Sequence, residues 1–222
     1  MYEPIPFSLQ SYIEQEIVPR YVHFDAAHQI DHVRTVMEES LRIARHYVVD
    51  VAMVYTIAAC HDIGLCEGRE HHHEASARML KADRRLREWF TEEQIAVMCE
   101  AVEDHRASSS HAPRSIYGKI VAEADRIIDP HVTLLRTVQY GLAHYPQLSK
   151  DQHYQRFVQH MHEKYADGGY LKLWIPQSSN AARLKELRAI IADESKLAGI
   201  FEKLWENEAG RNKIICENMP VK

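Results

Sequence analysis

Apolar residues recur at spacings of three and four along almost the whole chain, and this pattern limits the fold more than any other feature. Such spacing is typical of amphipathic α-helices. The sequence shows no alternating apolar and polar segment of useful length, as a half-buried strand would require. The longest largely apolar stretch, Val51–Cys60, has ten residues with Thr56 as its one polar member, which is too short to span a bilayer and suits a buried helix. The pattern therefore predicts an all-α protein.

Local signals indicate where most of the helices begin and end. Thr91 and Gln94 form a capping-box sequence at one helix start, and prolines or glycines follow several apolar stripes. The predicted helices are a stripe from Ile30 to Ala44, one from Val54 to His61, one after Thr91, one from Tyr117 to Ile128 stopped by Pro130, one from His131 to His144, one from Lys150 to Ala166, and one long C-terminal helix from Ser178 or Ser179.

The loops between these stripes are short, and the sequence contains no internal repeat or linker. We therefore predict a single domain over residues 1–222. It would be a compact helical bundle with a motif-bearing core at about 20–130 and a helical extension at about 131–222. The longest stretch without a pattern is Asp104–Arg114, which we expect to form the rim of an active site.

Charge and cysteine content exclude some classes of protein. The net charge of −5 argues against a nucleic-acid binder, and the short apolar runs argue against a membrane protein. The four cysteines form no CxxC pair and no dense framework, which predicts a cytoplasmic protein. The sequence leaves the oligomeric state open.

The chain has 15 histidines, and several ionisable residues continue apolar stripes. His61 lies seven residues after Val54, His105 lies three after Val102, and Asp125 lies three before Ile128. His28 and His32 are four apart and share a helix face. Burying such groups is costly unless they are paired, so a shared divalent metal is one explanation. A hydrogen-bonded core histidine is the commoner explanation for any one of them.

The order His32, His61-Asp62 and Asp125 favours the metal. Three segments of local sequence, AHQIDHVRTV, CHDIG and EADRI, resemble the motifs of the HD superfamily of metal-dependent phosphohydrolases. The resemblance covers about residues 20–130. It implies an all-α fold in which His32, His61, Asp62 and Asp125 bind a divalent ion. Mn, Fe, Ni, Co, Zn and Mg all suit these ligands to some degree.

Two further segments resemble those members of the superfamily that bind two metals. HHHEASARML would supply His72, although the sequence leaves open which of His71, His72 and His73 faces the site. VEDHRAS would supply His105 and Asp104, where Asp104 replaces a histidine of the strict motif. His28 is a further candidate ligand, with a core or supporting role as the alternative. The chain lacks the Gly-Tyr-Pro signature of the cyclic-di-GMP class.

The resemblance implies hydrolysis of a phosphoester or phosphoanhydride in a small phosphorylated substrate, with a nucleotide as the expected class. Asp62 would bind metal and accept a proton from water, while Arg106 and Lys119 are candidates for holding phosphate charge. The superfamily includes nucleotidases, pyrophosphohydrolases, alarmone hydrolases and cyclic-dinucleotide phosphodiesterases. The alternative is a catalytically silent metal or nucleotide sensor. A structural helical adaptor would not require the buried carboxylates Asp62 and Asp125.

Overall fold

The computed structural model describes residues 4–25 and 28–217, with side chains up to residue 209. Ala27, the first residue of the AHQIDHVRTV segment, lies outside the described residues. All regular elements in the described ranges are helical, so the all-α prediction is confirmed. None of the helices in this part of the chain is both long and apolar enough to cross a membrane.

Ten α-helices follow one another along the described chain. They are α1 (Phe7–Tyr12), α2 (Ile30–Ala44), α3 (Val51–Cys60), α4 (His72–Ala82), α5 (Glu92–Glu103), α6 (Ile116–Asp125), α7 (Pro130–His144), α8 (Lys150–Lys164), α9 (Asn180–Ala192) and α10 (Glu194–Glu217). Short helical segments connect some of them: a π-helical turn at Ile13–Ile17 and 3₁₀ helices at Val18–His23, Ile63–Glu67 and Arg84–Glu88.

The described chain divides into two compact units. The first extends to Ile127 and also contains Leu173–Ser178, and the second contains Ile128–Lys172 and the chain from Ser179. The prediction of one domain over residues 1–222 stays a prediction.

Helix α3 is the central element of the first unit. Every residue from Met53 to Cys60 is buried, and α3 packs against α2, α5 and α6. Complete burial of one large apolar side chain contributes about 1.5–3 kcal/mol relative to exposure. The helix begins after Asp50, whose carboxylate accepts hydrogen bonds from the N–H groups of Ala52 and Met53. The largely apolar ten-residue stretch therefore forms the buried helix that its length predicts.

Segment Leu173–Ser178 joins the first unit through the buried carboxylate of Glu123. Glu123 on α6 accepts hydrogen bonds from the N–H of Trp174 at 2.7 Å and from the hydroxyl of Ser178. A buried carboxylate is tolerated when several donors satisfy it. A segment distant in sequence is thus part of the unit that contains α6.

The helix predicted from Tyr117 to Ile128 ends earlier in the structure. Helix α6 ends at Asp125 and does not continue to Ile128, since the backbone of Arg126 is already non-helical with φ −79° and ψ 54°. Asp129, directly before Pro130, is extended, and Pro130 starts α7. The carboxylate of Asp129 then accepts a hydrogen bond from the N–H of Val132 and caps α7. The proline therefore marks the start of a helix as well as the end of the preceding one.

The long C-terminal helix is interrupted at Asp193, where the backbone is extended with φ −97° and ψ 91°. The Asp193 carboxylate accepts a hydrogen bond from the N–H of Lys196 in α10. The sequence did not predict this break, because the apolar residues keep nearly the same spacing through both helices. Such a pattern is the same for one long helix and for two consecutive helices. Elsewhere the predicted Thr91–Gln94 capping box is confirmed, and no helix interrupts the unpatterned stretch between Glu103 and Ile116.

Candidate metal centre

The candidate site is built at the ends of helices in the first unit. His32 lies in the first turn of α2, next to the fully buried Val33. His61 and Asp62 directly follow the last residue of α3 and are 0% and 3% exposed. Asp125 is the last residue of α6. Because α3 packs against both α2 and α6, these three helix ends meet in one place.

The first group of side chains consists of His32, His61, Asp62 and Asp125. Nε2 of His32 lies 3.2 Å from Oδ1 of Asp125, and Nε2 of His61 lies 3.2 Å from Oδ2 of Asp62. The two histidine Nε2 atoms are 3.3 Å apart. His32, His61 and Asp62 present ligand atoms close enough together to hold one metal ion, and Asp125 adjoins both histidines. The structure thus brings together the four residues of the predicted first site.

A second group shares Asp62 with the first. Oδ1 of Asp62 lies 3.2 Å from Nε2 of His72 and 3.4 Å from Nε2 of His105. Its other oxygen, Oδ2, is the one that faces His61 and His32. Asp62, His72 and His105 also have the spacing to hold a metal ion. The single carboxylate of Asp62 therefore lies between two pairs of histidines, with one oxygen toward each pair.

Backbone carbonyls determine which nitrogen of three histidines carries the proton. Nδ1 of His61 lies 2.7 Å from the carbonyl oxygen of Ala58, and Nδ1 of His105 lies 2.6 Å from that of Val102. His72 has the same arrangement, with its Nδ1 2.8 Å from a carbonyl oxygen. A carbonyl can only accept, so each Nδ1 must donate. In the neutral rings the lone pair is then on Nε2, which is the arrangement of metal-binding histidines.

This proton placement explains why the site requires a positive charge. Nε2 of His72 and Nε2 of His105 are 3.2 Å apart, and both would carry lone pairs. Two facing lone pairs repel each other unless a proton or a cation lies between them. Neutral imidazole and carboxylate oxygen are ligands for Zn and other first-row divalent metals. The donor set of the site therefore fits a divalent metal ion.

The electrostatics of the cluster agree with that fit. Burial by itself would raise the pKa of Asp62, but the charge of His61 and hydrogen bonds from the surrounding histidines hold it well below its ordinary value. Burial would lower the pKa of His61, but the charges of Asp62 and Asp125 raise it to about 9. The pKa of Asp125 is likewise lowered, against the effect of burial, by the hydrogen bond from His32 and the charge of His61. The buried cluster thus attracts positive charge.

Three other candidate residues do not join the cluster. Asp104 is buried, and its carboxylate accepts hydrogen bonds from the backbone N–H of Arg114 at 2.6 Å and from Nε of Arg114 at 3.0 Å. Nδ1 of His28 lies 2.8 Å from Oδ1 of Asp25. Lys119 makes no hydrogen bond or ion pair with the cluster among the residues that the structure describes. Their roles as ligands or as phosphate-binding groups stay predictions.

Part of the positive charge in the Asp104–Arg114 stretch is paired with carboxylates. Arg114 is paired with Asp104 and Glu103, and the exposed His111 also faces Asp104 at 3.9 Å. Arg106 follows His105 directly, and its Nη1 donates a hydrogen bond to the carbonyl of Glu70 at 2.7 Å. A guanidinium has five N–H donors, so this contact uses only part of its capacity. Arg106 is the rim cation whose charge no described carboxylate neutralises.

Around the cluster, Gly64 and Tyr21 make contacts for which the sequence shows no separate signal. The N–H of Gly64 donates to the hydroxyl of Ser76 on α4 at 2.8 Å. Tyr21 contacts the turn that contains His61 and Asp62. Gly64 belongs to the quoted CHDIG segment, whereas Tyr21 lies in a stretch without a motif. The contacts of Tyr21 are with residues about 40 positions away in the chain, and the apolar periodicity of a sequence does not predict such distant contacts.

Comparison with known protein families agrees with the motif assignment. The HD domain family matches residues 30–128. A solved structure of a predicted HD superfamily hydrolase from an uncultured Thermotogales bacterium is 27% identical, with 60% of this chain and 75% of that chain covered and a TM-score of 0.48. No curated protein matches the chain. The matched range contains all six clustered side chains, and the predicted resemblance is confirmed there: residues 30–128 of this protein match the HD domain family.

Proposed function

We propose that this protein is a metal-dependent phosphohydrolase that acts on a small phosphoester or phosphoanhydride, with a nucleotide as the substrate class. The observation that carries the proposal is the position of Asp62. Its two carboxylate oxygens lie between two histidine pairs, His32 with His61 and His72 with His105. A purely structural helical protein has no need for such a buried cluster. The HD domain match supports the same reaction class.

The residues of the cluster have separable roles in this proposal. A divalent ion, when bound, polarises a phosphoryl oxygen and makes water acidic enough to yield hydroxide near neutral pH. His32, His61, Asp62 and Asp125 would hold that ion, and their backbone and mutual contacts keep their ligand atoms in place. Asp62 would both bind the ion and accept the proton that the attacking water loses.

Arg106 would hold the negative charge of the substrate phosphate. It is adjacent in sequence to His105, and its contact with the Glu70 carbonyl anchors one end of the guanidinium. Fixed cations near a phosphoryl group stabilise the charge that develops during its transfer. An anionic small molecule fits such a rim, whereas the net charge of −5 disfavours long polyanions. We also propose a cytoplasmic location, where the free thiols of Cys60, Cys66 and Cys99 stay reduced.

A phosphate-release screen tests the reaction. Nucleoside mono-, di- and triphosphates and small phosphoesters are incubated with the protein and Mn²⁺, Fe²⁺, Ni²⁺, Co²⁺, Zn²⁺ or Mg²⁺. Asp62→Asn is expected to lower turnover by at least about 100-fold with unchanged circular dichroism. Asp151→Asn, which changes an exposed carboxylate on α8, is the matched control and should retain parental turnover. If the metal-loaded parent binds a nucleotide tightly but releases no phosphate, the sensor hypothesis replaces the enzyme hypothesis.

We further propose that the second group, Asp62 with His72 and His105, holds a second ion or the substrate phosphate. Metal analysis after loading and gel filtration separates the two alternatives. For the two-metal form, His72→Ala and His105→Ala should each lose one equivalent of metal relative to the parent. His71→Ala is the control, because that neighbouring side chain is 67% exposed. Equal metal content in all four proteins would exclude a second resident ion.

A further inference from the structure

Tyr21 contacts the turn that contains His61 and Asp62. It belongs to the 3₁₀ helix Val18–His23, which precedes the residues that match the HD domain. Its side chain is fully buried, and its ring centroid lies 6.3 Å from that of His61. The N-terminal helices of this chain therefore contribute a buried polar group to the surroundings of the candidate metal centre.

The hydroxyl of Tyr21 joins two backbone groups on either side of His61. It donates a hydrogen bond to the carbonyl of Ala59 at 2.8 Å and accepts one from the N–H of Asp62 at 3.2 Å. Ala59 lies in the last turn of α3, where carbonyls lack partners within the helix. The N–H of Asp62 lies just beyond that helix in a buried position. One hydroxyl thus satisfies a donor and an acceptor that the end of α3 leaves unpaired.

This bridge acts on Asp62, the residue that contacts both histidine pairs. Asp62 presents Oδ2 to His61 and Oδ1 to His72, so a small rotation of its backbone would move both oxygens away from their partners. Groups that hold the backbone and side chains of metal ligands in place contribute to metal affinity without touching the metal. The Tyr21 hydroxyl is placed to do this for Asp62.

We propose that Tyr21 is a positioning residue of the metal centre, and that its hydroxyl holds Asp62 in the orientation that serves both histidine pairs. This inference rests on the proposed metal-dependent function. It separates the hydroxyl from the ring: the ring fills the core, whereas the hydroxyl orients the ligand turn. Removing only the hydroxyl should therefore affect metal binding more than it affects folding.

The substitution Tyr21→Phe tests this separation, with Tyr55→Phe as the matched control. Tyr55 is also buried, at 8% exposure, but its hydroxyl contacts Glu14 at 3.5 Å and, within the described part of the chain, no side chain of the cluster. The probe is Co²⁺ alone, followed by isothermal titration and by its visible absorption spectrum, which reports ligand geometry. Tyr21→Phe is expected to bind Co²⁺ about 10–100-fold more weakly than the parent, with an altered spectrum. Tyr55→Phe should match the parent in both measurements.

The possible outcomes distinguish this inference from the proposed function. If the parent binds Co²⁺ and Tyr21→Phe shows the parental affinity and spectrum, the positioning role is overturned while the metal centre stands. If the parent itself binds no Co²⁺, and none of the other divalent ions, both are overturned. Should circular dichroism show that Tyr21→Phe is partly unfolded, the titrations of all three proteins are repeated with a stabilising osmolyte at low temperature. If the stabilised Tyr21→Phe variant then binds Co²⁺ with the affinity of the parent, the positioning role of Tyr21 is again overturned.

Discussion

Asp104 shows how a carboxylate next to a candidate metal ligand, His105, can serve the fold. Its oxygens accept from both the backbone N–H and the guanidinium of Arg114, and its side chain is completely buried. Asn can replace only part of this charge-assisted set, so Asp104→Asn is expected to lower the free energy of unfolding by about 1–3 kcal/mol. Urea unfolding measures the change. Metal content after loading should equal that of the parent.

Glu103→Gln provides the comparison for Asp104→Asn. Glu103 also pairs with Arg114, but its side chain is 40% exposed. Exposed ion pairs contribute little to folding stability, so this substitution should lower the free energy of unfolding by less than about 1 kcal/mol. Loss of bound metal from Asp104→Asn at parental stability would instead make Asp104 a ligand.

His160 on α8 gives a prediction for the effect of pH. Burial, followed by the nearby charges of Lys164 and Arg156, lowers its pKa from 6.5 to about 4. The unfolded chain therefore binds a proton more readily than the folded chain between these values. Stability from a neutral His160 is fully present above about pH 6.5 and declines as the pH falls toward 4.

Thermal unfolding at several pH values compares the parent with His160→Gln. The melting temperature of the parent should fall more than that of the variant between pH 6.5 and 4, because glutamine does not titrate. The exposed His162 lies on the same helix, so His162→Gln should follow the parental curve. Identical curves for all three proteins would contradict the prediction.

At the scale of elements, close contact between Gly64 and α4 sets the position of His72. A Cβ atom at residue 64 would lie 2.3 Å from the carbonyl oxygen of His72 and 2.4 Å from the backbone nitrogen of Ser76. Backbone atoms cannot move aside as a flexible side chain can, so α4 would have to shift. Gly64→Ala is therefore expected to destabilise the fold by at least about 1–3 kcal/mol and to move His72 away from Asp62.

Denaturant unfolding and metal analysis of Gly64→Ala check both effects. The control is Gly199→Ala on α10, where an added Cβ meets no atom within 4 Å. Alanine is the better helix former, so this change should be neutral or stabilising by up to about 1 kcal/mol. Parental stability and metal content in Gly64→Ala would show that α4 tolerates the displacement.

At the scale of the whole molecule, the six clustered side chains imply that metal binding stabilises the folded protein. Their ligand atoms meet only in the native arrangement, so a metal binds the folded chain in preference to the unfolded one. At a free metal concentration 100 times the dissociation constant, binding raises the free energy of unfolding by about 2.7 kcal/mol. For a chain of this size the melting temperature should rise by about 5–10 °C. A chelator should reverse the rise.

The double variant His61→Ala/Asp62→Ala is the control for this thermal shift. It lacks one ligand of the first group and the carboxylate that both groups share. Its melting temperature should therefore respond little to the same metals. An equal response of variant and parent would place the stabilising ion elsewhere in the protein.

The positions of the first group could be predicted because they depend on local information. His61 and Asp125 continue apolar stripes, and a stripe reports which face of a helix is buried. The order of His32, His61-Asp62 and Asp125 then pointed to the HD motifs, and the structure brings these four side chains together. Their binding of a metal stays a prediction. His72 was selected from three neighbouring histidines by the motif, and it is the one that faces Asp62.

The sequence alone determined that this protein is all-helical, which of its ionisable residues lie on buried faces and which family its core resembles, because residues close in the chain encode helical period and motif. Only the tertiary structure decided which distant groups pair. It assigned Asp104 to Arg114, the hydroxyl of Tyr21 to the turn at Asp62, and the segment Leu173–Ser178 to Glu123. These pairings depend on how helices pack against one another. Many alternative partners would satisfy the same polar atoms, and only the packed chain selects among them.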